Sequence, residues 1–172
     1  MTVTQKDGFL PKGSDLAKGT GWLAALRAYL FTIMIGNLFW ETAQLPLYTI
    51  WKSGTFGEKT FAIVHCTGGD VLIALGALVI ALVIVGHRRW PGRRFPPVAI
   101  VSIALGVSYT IFSEWLNIAV RKSWAYSDLM PIMHSFGFDV GISPLLQWIA
   151  VPLLSFWFAR RRGMGVIDNR HS

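Results

Sequence analysis

The stretch "FAIVHCTGGDVLIALGALVIALVIVG", Phe61 to Gly86, decides the fold. At ~1.5 Å per helical residue it covers the ~30 Å hydrocarbon core of a bilayer, which takes about 20 residues to cross. Its strongest polar groups, His65, Cys66, Thr67 and Asp70, all precede a tail of almost pure Val, Leu, Ile and Ala. Three further apolar runs share this character: Ala28–Tyr48, Val98–Val120 and Pro144–Ala159. The last reaches spanning length if it starts near Val140 or continues to Arg162. The chain therefore reads as an all-α polytopic membrane protein, a bundle of four transmembrane helices over roughly 26–49, 60–86, 96–120 and 142–161. A polar N-terminal segment, 1–21, precedes this single domain of residues 22–162, and 163–172 reads as a flexible tail.

Composition agrees. The 172 residues are 53% hydrophobic and only 15% charged, against the roughly 25% usual for soluble domains. Almost all of that length is consumed in spanning, so no separate soluble domain fits. The N-terminal segment is polar and the apolar run after it is too long for a signal h-region, so the first span is expected to stay in the mature protein. Cys66 is the single cysteine, which excludes an intrachain disulfide and leaves the redox compartment open.

The net charge of +7 raises nucleic acid as a partner, but its placement argues against it. Twelve of the 16 basic residues fall before or at the start of span one, between spans two and three, or after span four. Basic residues collect on the cytoplasmic side. Both termini are therefore expected inside, as an even number of spans requires. In a bacterium this would be the plasma or inner membrane. Trp22, Trp90 and Trp157 fall at the inner ends, Trp51 and Trp124 beyond the outer ends, and Trp148 one turn into span four, as an interfacial belt would have them. Pro96 and Pro97 suit a first helical turn, and Ser143-Pro144 reads as an N-cap with Pro at the first helical position. Pro46 and Pro152 are expected to kink or end their helices. The long outer loop between helices 3 and 4, Arg121–Ile142, is rich in aromatics and methionine, so it is expected to fold over the outer mouth of the bundle.

With spans one and three running outward and two and four inward, the acids share one depth zone. Glu41 lies about 10 Å inside the outer end of its span, Glu114 about 9 Å, His65 about 8 Å and Asp70 about 15 Å. Gln147 stands near the start of span four. Asn37, Glu41, Gln44 and Tyr48 follow i, i+4, i+7, i+11, and Thr110, Glu114, Asn117 and Arg121 repeat that spacing, so each set shares a helix face. "NLFWETAQ" and "TIFSEWLN" compare weakly as a duplicated segment. Gly68-Gly69 is expected to admit a neighbouring helix or loosen its own, helping His65 and Asp70 face one cavity.

Ionisable groups at membrane depth are costly and usually functional. The acid–base candidates are Glu41 and Glu114, with His65 and Asp70 tuning or relaying. Asn37, Gln44, Asn117, Gln147 and Tyr109 are the candidates for orienting a substrate. Any one of these can instead be structural: a protonated acid bonded to an amide, an interior histidine, or amides acting as interhelical glue. Cys66 reads as packing, and Arg121 as snorkelling to the interface in preference to pairing with Glu114. "MPIMH", with Met130, Met133 and His134, has the spacing of soft copper ligands but reads first as packing. The acids lack metal-ligand spacing, so no metal is assigned, and no cofactor is specified.

Three functions fit this kit. The first is a membrane enzyme doing acid–base chemistry on a lipid-like or isoprenoid-like substrate, one carboxyl kept protonated by its apolar surroundings and another acting as base. The second is a proton-coupled carrier or sensor. The third is a non-catalytic accessory or assembly subunit that binds a cofactor or partner helix. The expected partners are the bilayer, a lipophilic small molecule, and a second copy or a membrane-complex subunit. In layout the chain is similar to emopamil-binding-type sterol isomerases, whose helical bundles also use membrane carboxylates and histidine; that similarity assigns no residue here.

Overall fold

The computed structural model describes residues 13–135 and 137–168, so residues 1–12 of the N-terminal segment and 169–172 of the expected tail lie outside the described residues, whereas 163–168 are helical where a loose tail is expected. The chain is mostly helical. Helix α1 spans Gly13–Gln44 and tightens into a 3-10 turn, Leu45–Leu47, with Pro46 within it. A short helix α2, Ile50–Ser53, leads to α3, Phe56–Val85. Helix α4, Phe95–Glu114, continues as a π-helical segment over Trp115–Val120. Two short strands, β1 (Ile132–Ser135) and β2 (Phe138–Gly141), form an antiparallel hairpin, and α5 follows at once over Ile142–Asp168.

Four helices, Gly21–Leu47, Phe56–Val85, Phe95–Val120 and Ile142–Met164, are long and apolar enough to cross a membrane. Their outward faces are as apolar as their cores: Phe39 is 73% exposed, Leu72 70% and Val83 81%. Water-soluble monomers do not present a continuous greasy girdle of this kind, whereas a bilayer requires one.

The helices form an antiparallel ring. Gln44 faces Ser143, Asn37 faces Gln147, and Tyr29 packs on Phe156 at 4.8 Å, so α1 and α5 run opposite ways. Tyr29 also reaches the Ala74 carbonyl on α3 at 3.4 Å, and Phe95 of α4 meets Phe156 of α5 edge-on. Close approach between helices depends on glycine at Gly36 and Gly106, as it does at Gly163 against Ala25 and Pro91. A Cβ on Gly36 would stand 2.7 Å from Val151 Cγ1, and one on Gly106 would enter the Trp148 ring. The apolar core (Ala25, Tyr29, Ile33, Ala74, Leu78, Val98, Phe156 and Ala159 among its members) fills the half of the bundle nearer the Arg88–Arg94 turn. We call this the arginine end and the other the hairpin end.

Local chemistry explains the helix ends. Thr55 and Glu58 make a capping box that starts α3 earlier than hydropathy alone suggests: Thr55 N donates to Glu58 Oε2 at 2.7 Å, and Glu58 N to Thr55 Oγ1 at 3.3 Å. Pro96 and Pro97 sit in the first turn of α4, after Arg94 in the left-handed region at φ 58°. Several expectations are corrected. α5 does not end at Pro152 but continues to Asp168. Ser143 lies inside the first turn of α5, and its hydroxyl links α1 to α5 where a cap had been expected. Trp90 and Trp148 are buried, 3% and 5% exposed, Trp90 stacked on Phe95 and Trp148 packed against Gly106. The hairpin adds strand to a fold expected to be wholly helical.

The segment between α4 and α5 is stitched to the end of α1. Thr49 N donates to Ala125 O at 3.0 Å, Ser127 N to Leu47 O at 2.9 Å and Ser127 Oγ to Pro46 O at 3.0 Å. Tyr48 and Tyr126 pair as an isolated bridge with rings 5.7 Å apart. Met130 is buried under the hairpin next to Gly141, whereas Met133 and His134 are exposed and His134 pairs with Asp139. The three "MPIMH" side chains thus diverge.

Candidate functional site

The hairpin-end half holds a network of acids and amides centred on Gln147. This residue lies one turn into α5 and is 2% exposed. Its Nε2 stands 2.9 Å from each of Asn37 Oδ1, Glu41 Oε1 and Asp70 Oδ2, and its Oε1 accepts from Gln44 Nε2 at 3.1 Å. Gln44 Nε2 also donates to Glu41 Oε1 at 2.8 Å, while Gln44 Oε1 accepts from Ser143 Oγ at 2.9 Å. Trp40 Nε1 completes the chain by donating to Ser143 Oγ at 3.2 Å. One amide on α5 therefore ties α1 to α3 through two carboxyls. The i, i+4, i+7 spacing of Asn37, Glu41 and Gln44 makes this possible, since all three emerge on the face of α1 turned to α5.

A third acid lies near this pair. Glu114 is 5% exposed and accepts a hydrogen bond from the Tyr126 hydroxyl, which in turn accepts from Gly141 N at 2.8 Å. Glu41, Asp70 and Glu114 are near enough that Cys66 of α3 lies in the field of all three. Tyr48, at the end of α1, also faces Glu114 and Glu41, and burial first, then the Glu114 charge, raises its hydroxyl well above the ordinary tyrosine range. The Tyr126 hydroxyl is raised by the same two causes in the same order. Both phenols therefore keep their protons, and that of Tyr126 is donated to Glu114.

Of the candidates from sequence, the geometry brings Asn37, Glu41, Gln44, Asp70, Glu114 and Gln147 together. Three do not join them. His65 is exposed on the outer surface of α3, where its ring stacks on Phe61 at 5.2 Å. Gly68 and Gly69 neither admit a helix nor loosen α3: a Cβ on either meets nothing within 4 Å and the helix is continuous. His65 thus keeps the ~140° offset from Asp70 that an ideal helix imposes. Tyr109 is 47% exposed and packs on Phe112. Asn117 falls in the π segment and bonds back to Ser113 O at 2.9 Å. A π turn rotates each residue by less than the ~100° of an α-helix, so a residue three beyond Glu114 lags off its face. Arg121 is exposed and Glu114 is taken by Tyr126, so these two do not pair.

The sequence reading missed Tyr126, Tyr48, Ser143 and Trp40 as members. Tyr48 was legible from its i+7 spacing to Glu41; Tyr126 sits in a loop, where no periodicity marks an inward side chain. Thr67, one turn before Asp70, is buried with a hydroxyl that has no partner among the described residues. No Lys or Arg enters this network, and among the described residues no three His, Cys, Asp or Glu side chains are grouped to hold a metal ion. No protein-family model, curated protein or solved structure matches the chain.

Proposed function

We propose that this is a membrane enzyme that moves protons on a lipid-like or isoprenoid-like substrate entering from the bilayer at the hairpin end. One observation carries the reading: Glu41 and Asp70 converge on a single amide nitrogen that also serves Asn37. That nitrogen has two hydrogens for three oxygens. A proton held between the two carboxyls makes up the shortfall, as paired carboxyls commonly arrange. The pair then acts as the general acid, and Glu114, oriented by Tyr126, acts as the base. One carboxyl gives a proton and the other accepts one, so a double-bond shift leaves the site's total charge unchanged.

Access supports the same assignment. Glu41 and Asp70 are partly exposed on a surface otherwise made of lipid-facing side chains, whereas Asn37, Gln44, Glu114 and Gln147 are buried. The Glu41–Asp70 pair can be reached from that surface; Asn37, Gln44 and Gln147, which orient it, and the base Glu114 lie behind it. The unpaired Thr67 hydroxyl offers a donor or acceptor for a polar head.

The test needs no knowledge of the substrate. Purified protein in nanodiscs made from total membrane lipid is incubated in D2O, and the lipids are surveyed by mass spectrometry. We expect at least one lipophilic species to gain carbon-bound deuterium or change retention. Glu41→Gln and Asp70→Asn should each slow that change at least a hundredfold, and His65→Ala should leave it within about twofold, in keeping with the 10²–10⁴-fold worth of acid–base groups. A wild type that alters no lipid overturns the reading. Proton uptake coupled to solute entry, lost in Glu41→Gln, would replace it with a carrier.

A further inference from the structure

We infer that the arginine end carries a headgroup site for an anionic phospholipid, separate from the acid network. A cavity of about 370 Å³ opens there, lined by Trp22 of α1, Leu82 at the end of α3, and Gly86, His87, Arg88 and Trp90 of the connecting turn. That volume is within the roughly 300–1,000 Å³ typical of small-molecule sites. Its walls are graded as an interfacial lipid would need. Leu82 and the half-exposed Trp22 face the apolar side, and His87 and Arg88 are exposed toward water.

Three donor-bearing side chains line the cavity, and among the described residues no acid does. Arg88 supplies a planar fork of N–H groups suited to phosphate oxygens. His87 accepts Arg89 N at its Nδ1, at 3.0 Å, which leaves Nε2 free to donate. Trp90 is 3% exposed, and its Nε1–H has no acceptor among the described residues. A buried indole N–H normally finds a partner. A phosphate oxygen in this cavity would supply one. Arg89, Arg93 and Arg94 stand on the same turn, and Arg160, Arg161 and Arg162 extend the positive field from the end of α5. Basic pockets at the ends of membrane helices bind anionic headgroups through this combination of charge and directed donors.

The shared chemistry is a phosphate ester, and the source argued for is a membrane lipid because the apolar wall would be idle against a soluble anion. Full-length protein in mild detergent is titrated by native mass spectrometry with dioleoylphosphatidylglycerol, dioleoylphosphatidylcholine and glycerol 3-phosphate. We expect phosphatidylglycerol to bind at least tenfold more tightly than phosphatidylcholine. Arg88→Gln should erase at least fivefold of that preference, and Arg88→Lys should restore part of it. Trp90→Phe, which keeps the ring stacked on Phe95 but lacks the N–H, should cost two- to fivefold. Arg121→Gln, at the other end, should cost nothing. Equal binding of the two lipids overturns the site, and so does a loss in Arg88→Gln no greater than in Arg93→Gln. Glycerol 3-phosphate binding as tightly as phosphatidylglycerol overturns the lipid assignment and leaves a soluble phosphate site. His87→Gln, on the exposed turn, gives the same readout should Trp90→Phe fail to fold.

Discussion

Gln147 offers two hydrogens and a carbonyl to four side chains from two neighbouring helices, so its loss is not confined to one bond. Replacing it with leucine would leave Asn37, Gln44, Glu41 and Asp70 short of partners in a nearly dry interior. Each buried polar group left unmet costs about 1–3 kcal/mol, but interhelical bonds in membranes average nearer 0.6 kcal/mol because the unfolded chain finds substitutes. We expect Gln147→Leu to destabilise the bundle by about 2 kcal/mol in an unfolding titration in mixed micelles. Thr42→Val, which removes only an exposed bond back to Leu38 O, should cost almost nothing. The tyrosines give a pH signature. Tyr48 and Tyr126 are both raised in the folded protein. A group with a raised folded value binds its proton more tightly when folded, so its contribution is intact below the unfolded value of about 10 and is lost as pH climbs beyond it. Stability should be flat from pH 8 to 9.5 and fall above about pH 10, and Tyr126→Phe should make that fall shallower by one proton. An unchanged slope would remove Tyr126 from the network. At this scale the candidates on regular helix were legible, because periodicity sets a face. Asn117 was misread where the turn widens, and His65 where two glycines were given a helix to receive.

The helices themselves were readable because length and apolarity suffice to define a span, and all four appear near the expected bounds. Their ends were less so. The capping box at Thr55 is written as "TFGE", a polar start that hydropathy alone does not mark, while Ser143 before Pro144 has the pattern of a cap although its hydroxyl serves another helix. The β1–β2 hairpin was hidden because two four-residue strands carry little periodic signal; only Gly137, at φ +80°, marks the turn. Glycine contacts give the sharpest element-level prediction. A side chain at Gly106 enters the Trp148 ring and must push α4 from α5. Gly106→Val should therefore lower stability by about 2 kcal/mol, an ordinary overpacking cost, measurable as a lower thermal midpoint in detergent. Gly76→Val, with nothing within 4 Å, should be neutral.

Across the whole molecule, polarity is divided between two halves: acids and amides under the hairpin, apolar packing above the arginines. From the charge bias we propose that the arginine end faces the cytoplasm. In a Cys66→Ser background, Asp128→Cys should react with a membrane-impermeant maleimide in intact cells, and Gly92→Cys only after permeabilisation. The reverse pattern would invert the orientation. Substrate identity was never legible, because acids and amides specify what chemistry is available and not the shape of what receives it.

The junction at Gly141 has a mechanical consequence. β2 passes into α5 with no residue between them, and Gly141 N is itself bonded to Tyr126. From there to Gln147 is about 9 Å of continuous helix. A displacement of the hairpin therefore has no loop to absorb it before the first turns of α5, where Gln147 bonds both carboxyls.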